Sequence, residues 1–114
     1  MKRFILGVLI AAVPPAILLW PAEVPGQGEG QGRKIYNEKC QFCHGIKGNG
    51  DGPAAASLNP RPADFRGPNV WRKYDEKQMT DIVRNGKGMM PAFDLKPDEV
   101  KAVLDYIART YKPK

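Results

Sequence analysis

The chain has 114 residues, with 18 Lys and Arg against 12 Asp and Glu, a formal net charge of +6, two cysteines and one histidine. That length supports one folded domain at most. The basic residues form no dense cluster interleaved with aromatics, which argues against a nucleic-acid-binding surface.

Lys2 and Arg3 precede an uncharged run from Phe4 to Trp20, the order expected of an export signal or a membrane anchor. At 17 residues the run exceeds the roughly 7–15 of a signal core and reaches the lower limit of about 17–25 for a spanning helix. Ala22 has bulky Trp20 two positions before it, a poor cleavage site, whereas Trp20 suits an interfacial anchor. Residues 1–22 are therefore read as an uncleaved signal-anchor helix, with a cleaved signal peptide as the alternative. Pro14-Pro15 would kink such a helix and leave carbonyls that need partners. Residues 23–31 read as a flexible Gly/Pro linker, because glycine at alternate positions resists helix formation and nothing apolar is available to bury. The remaining residues, 32–114, form a domain small for a self-sufficient core. Without Lys2 and Arg3 the chain still holds 16 basic side chains against 12 acidic ones, an excess able to steer the domain toward acidic docking faces.

Arg33 to Lys39 predicts a helix that runs directly into Cys40-Gln41-Phe42-Cys43-His44, which contains both cysteines and the only histidine. Two thiols three positions apart can bond the two vinyl groups of one haem, with the next residue's imidazole against the iron. A redox dithiol would be expected near a βαβ pattern, and no β-rich runs occur. A zinc site would need two further Cys or His ligands, and none exist. A disulfide remains open, although bridging so short a loop gains little.

Residues Gly45 to Lys73 have no sustained periodicity and carry the turn-forming runs Gly-Asn-Gly-Asp-Gly-Pro and Asn-Pro-Arg-Pro. So long a loop is unusual in a compact domain unless it wraps a ligand. A second helix is predicted from Asp75 to Asn85, with Met79, Ile82 and Val83 as its apolar stripe and Gly86 as its stop. The third starts at Pro97 and buries Val100, Val103, Leu104 and Ile107. Asp98 and Glu99 favour its N-terminal end, and Arg109 and Lys112 its C-terminal end.

With these elements in order, the chain resembles the class I cytochrome c family, in its small bacterial form, over Gln31 to Tyr111. The resemblance is carried by the attachment motif, by Gly32 and Tyr36 ahead of it and by Val103 and Tyr106 on the last helix. Asn85-Gly86-Lys87-Gly88-Met89-Met90-Pro91-Ala92-Phe93 resembles the ligand-presenting loop of that family. Gly48 to Ala55 and Pro60 to Phe65 resemble segments of its small bacterial members.

This resemblance implies an all-α fold of about three main helices and long loops around one covalent haem c, preceded here by the N-terminal hydrophobic helix. Cys40 and Cys43 would form the thioethers and His44 would be the proximal iron ligand, which is also the only histidine available. Met90, directly before Pro91, would be the distal ligand, with Met89 as second choice and Met79 a core residue. The carbonyl of Pro60, or failing it Pro62, would orient the imidazole, while Trp71, Arg61 and Arg66 are candidate propionate contacts.

Filled axial positions leave no open coordination site, which favours electron transfer and implies no catalytic residue. The expected function is single-electron transfer on the outer, periplasmic face of a bacterial cytoplasmic membrane, between redox complexes with acidic docking faces. The alternatives are a permanent cytochrome subunit of a membrane oxidoreductase and, if methionine ligation fails, a haem sensor or peroxidase.

Overall fold

The structure is a computed structural model that describes Gly7, Ala11, Ala12 and residues 27–114. The proposed anchor helix over residues 1–22 lies outside the described residues apart from those three. No helix among the described residues is long and apolar enough to cross a membrane.

Helix α1 spans Gln27–Ile35 and passes into a π-helical turn, Tyr36–Cys40, and then a short helix α2, Gln41–His44. A 3₁₀ turn occupies Ala55–Ser57, with α3 at Asn69–Lys73, α4 at Glu76–Asn85 and α5 at Pro97–Tyr111 beyond it. No strand occurs among the described residues, only an isolated antiparallel bridge between Lys87 and Met90.

Both long helical predictions have a visible local cause. Asp75 caps α4: its side chain accepts from the Gln78 N–H at 2.8 Å, and the Gln78 side chain accepts from the Asp75 N–H at 2.9 Å. Gly86 ends that helix with φ +76°, a left-handed conformation in which glycine has no Cβ penalty. In α5, Pro97 occupies the first turn and Glu99 accepts from the Lys96 N–H at 2.8 Å. Its stripe is buried as the spacing requires, with Val100, Val103 and Ile107 inside and Leu104 packed against them.

The core forms where α1 and the π-turn lie against α5. Ile35, Tyr36, Leu95, Val100, Val103 and Ile107 make one cluster. Burying each aliphatic side chain is worth roughly 1.5–3 kcal/mol. Close approach depends on Gly32, where an added Cβ would overlap the carbonyl oxygen of Ala102 and come within 2.8 Å of Tyr106 Cβ.

Two expectations need correction. The linker reading fails from Gln27 onward, because Gln27–Gly32 is helical. Tertiary contacts override its poor propensity: Gly32 packs into α5, and Arg109 Nη1 bonds Glu29 Oε1 at 2.7 Å. The long loop is also less irregular than expected, since it contains the 3₁₀ turn and α3.

Candidate haem-attachment site

The attachment motif sits on the last turns of the N-terminal helix. The π-turn leading into it adds a residue to the helical repeat and so re-aims Cys43 and His44, a device frequent at functional sites. Helix α2 ends at His44 with carbonyls that need donors, and the glycine-rich loop supplies them. The Ala54 N–H donates to Phe42 O at 3.0 Å, Gly52 N–H to Cys43 O at 3.1 Å and Gly50 N–H to His44 O at 2.8 Å. The chain can pass this close because Gly52 has no Cβ, which would otherwise strike the Phe42 carbonyl and the Cys43 backbone. Gly-Asn-Gly-Asp-Gly is thus the brace of the motif, a role its turn signal alone did not disclose.

His44 is half-buried, and its Nδ1 lies 3.1 Å from the carbonyl oxygen of Ala63. A carbonyl only accepts, so this contact puts the imidazole proton on Nδ1 and the lone pair on Nε2. Burial holds the imidazole pKa below its ordinary value, against the opposing pull of the Ala63 carbonyl. Burial favours the neutral ring, and the Ala63 contact leaves Nε2 as the nitrogen free to coordinate iron. The orienting carbonyl is therefore Ala63 and not Pro60 or Pro62. Pro60 is exposed, and the backbone that reaches the ring is one residue beyond Pro62. Phe65 stacks on the imidazole, centroids 4.5 Å apart and planes inclined by 21°, and fixes its attitude.

Cys40 and Cys43 are free, half-buried thiols. Burial pushes the Cys40 thiol up to about 11, despite the neighbouring Lys39. A redox-active dithiol works by the opposite shift, a thiol made acidic by its surroundings. Among the described residues, no three His, Cys, Asp or Glu side chains come together to hold a metal by themselves. Two thiols on one turn with a prepared imidazole beside them fit haem c and fit the competing readings poorly. Cys40, Cys43 and His44 would hold the group, and the chemistry it supplies is reversible one-electron exchange at iron.

Met89 and Met90 separate clearly. Met89 is 55% exposed, while Met90 is half-buried. The Met90 N–H donates to Lys87 O at 2.9 Å and the Lys87 N–H returns a bond to Met90 O at 3.0 Å. The Phe93 N–H then donates to Val83 O at 2.9 Å, which ties the loop back onto α4. Lys87 anchors the loop from outside by donating to the Tyr74 hydroxyl at 2.8 Å. Met79 is half-buried on α4. Of the proposed propionate contacts, Arg61 and Arg66 are exposed, and the Trp71 indole N–H is taken by Phe65 O at 2.8 Å.

Tyr36, already part of the helix signature in the sequence, supports the same site through a hydroxyl bond that the signature does not disclose. Tyr36 is fully buried, and its hydroxyl donates to Gly45 O, directly after His44, at 2.7 Å. Burial raises its pKa far above the usual phenol range, so it remains a donor. This links the helix crossing to the backbone that carries the imidazole.

A family profile described as "Cytochrome C oxidase, cbb3-type, subunit III" matches residues 28–107. The chain belongs to this cytochrome c family. Cytochrome c6 of Gloeothece citriformis is 28% identical over 109 residues, covering 94% of this chain and 93% of that protein. Cytochrome c-551 of Bacillus subtilis is 27% identical over 81 residues, covering 68% of this chain and 60% of that protein. Among solved structures, the KustC0563 c-type cytochrome superposes with a TM-score of 0.59 at 28% identity, covering 72% of this chain and 98% of that one. This cytochrome is thus a class I monohaem type with covalent haem c, and its function is electron transfer.

Proposed function

We propose that this cytochrome is a single-electron carrier tethered to the outer face of a bacterial cytoplasmic membrane, and not itself an enzyme. The observation that carries the first half is the prepared donor set. His44 is held at Nδ1 by Ala63 with Nε2 free, and Met90 lies in a loop bonded back to α4. His44 and Met90 would hold the iron from the protein side and so would leave oxygen and peroxide no place to bind, and the thioether of Met90 would favour the reduced state in one-electron exchange. The tether rests on the uncharged run Phe4 to Trp20 behind Lys2 and Arg3.

Sequencing the mature N-terminus together with membrane fractionation tests the tether. Retention of Met1 to Trp20, with the protein in the membrane fraction, is expected. A mature start between Ala16 and Gln27 with recovery in the soluble periplasm would make it a diffusible carrier.

A second reading is favoured by the description of the matched family, an oxidase subunit. There the chain is a permanent cytochrome subunit and its hydrophobic segment packs against other membrane helices. Purification in mild detergent distinguishes the two, because a subunit co-purifies in fixed ratio with its oxidoreductase and a carrier does not.

A further inference from the structure

Behind the imidazole, the aromatic side chains form a connected series. From His44, the stacked ring of Phe65 leads to Tyr111, again near-parallel, with centroids 6.5 Å apart and planes inclined by 21°. Tyr111 meets Tyr36 at 5.5 Å and Tyr106 edge-on at 6.1 Å. The series comes to the surface in an open groove of about 530 Å³ lined by Ile46, Lys47, Arg66, Tyr106, Thr110 and Tyr111.

The lining has a definite chemical character. It holds two cations and no acid. Ile46 is 75% exposed, the most exposed of the large apolar side chains in this domain. Its backbone is nonetheless fixed, because the Tyr111 hydroxyl donates to Ile46 O at 2.9 Å. An apolar contact flanked by cations on a pinned backbone is matched by an acidic protein surface with an apolar centre.

We propose that this groove is a docking surface for an acidic redox partner protein, on the Phe65–Tyr111 side of His44. The proposal rests on the electron-carrier reading and adds to it a specific face. One electron passes between the partner's redox centre and the haem iron. No bond forms or breaks, no proton moves, and the intervening rings bridge the gap without being oxidised. Lys47 and Arg66 steer the encounter, and Ile46 with the tyrosine rims supplies the dry contact.

Hexacyanochromate(III), a redox-inert paramagnetic anion, serves as the probe for the acidic partner in NMR of the ferrous holoprotein. Broadening is expected at the amides of Ile46, Lys47 and Thr110, and the Lys47→Glu/Arg66→Glu double variant should abolish it. A Lys77→Glu/Lys96→Glu double variant, with the same change in net charge outside the groove, should retain it. In stopped-flow oxidation of the ferrous protein by hexacyanoferrate(III) at low ionic strength, the groove variant should be slower than the control by about tenfold. Broadening confined to other lysines, or equal rates in the two variants, would overturn the groove. Wild-type protein that does not exchange electrons with hexacyanoferrate(III) at all would instead overturn the carrier reading.

Discussion

Gly32 and Gly30 lie two residues apart on the same helix, yet replacing each with alanine should change stability in opposite directions. Alanine is a better helix former than glycine by about 1 kcal/mol, so propensity alone predicts that both substitutions stabilise. At Gly30 nothing lies within 4 Å of an added Cβ, and the full gain should appear. At Gly32 the new methyl would overlap the Ala102 carbonyl oxygen and lie 2.8 Å from Tyr106 Cβ. Those atoms belong to the backbone and the base of a side chain, so no rotamer change relieves the clash. Overpacking of this kind costs about 1–3 kcal/mol, and moving α5 away would also loosen Tyr36, Val103 and Ile107. Gly32→Ala should therefore lose up to about 2 kcal/mol net, and Gly30→Ala should gain up to about 1. In thermal unfolding of the holoprotein monitored by circular dichroism, the two midpoints should differ by about 10 °C. Equal midpoints, or a stabilised Gly32→Ala, would refute the close crossing of α1 and α5.

Three further outcomes are expected at the site. Tyr36→Phe strands the buried Gly45 carbonyl and should cost about 1–3 kcal/mol in urea unfolding, whereas Tyr106→Phe, with no hydroxyl bond of that kind, should cost less. Cys40→Ala and Cys43→Ala should each leave haem with at most one thioether, read from intact mass after acid–organic extraction, while the wild type keeps one haem on the polypeptide. Phe65→Leu removes the ring stacked on His44 and should weaken both the packing of the imidazole and the bridge to Tyr111. It is checked by the ferric paramagnetic shifts of the imidazole and by the stopped-flow rate.

How much was legible in the sequence can be traced residue by residue. Helix α5 could be read because its stripe of Val100, Val103, Leu104 and Ile107 repeats at helical spacing and its first turn carries Pro97 and Glu99. The limits of α4 were legible from Asp75 and Gly86 for equally local reasons. Where long-range contacts decide, local reading failed. Gln27 to Gly32 has the composition of a tether, yet α5 holds it helical through Gly32 and the Glu29–Arg109 pair. The partner of His44 was expected at Pro60 or Pro62 because the family resemblance implies a proline carbonyl there. The oxygen that reaches the ring belongs to Ala63, and a backbone carbonyl has no side-chain signature. Trp71 looked available for a propionate, but its N–H is already bonded to Phe65 O. The π-turn left no signal at all, since Tyr36 to Cys40 reads as ordinary helix.

The central claim, a closed iron site ligated by His44 and Met90 for electron transfer, is tested most directly by the ferric near-infrared spectrum at neutral pH. The account predicts the weak sulfur-to-iron band in the wild type, its retention in Met89→Ala and its loss in Met90→Ala, the last variant alone becoming open to imidazole. A band retained in Met90→Ala and lost in Met89→Ala would move the ligand by one residue. A wild type without the band that binds carbon monoxide readily when reduced would contradict the claim, because its iron would have the accessible position that sensing or peroxide chemistry requires.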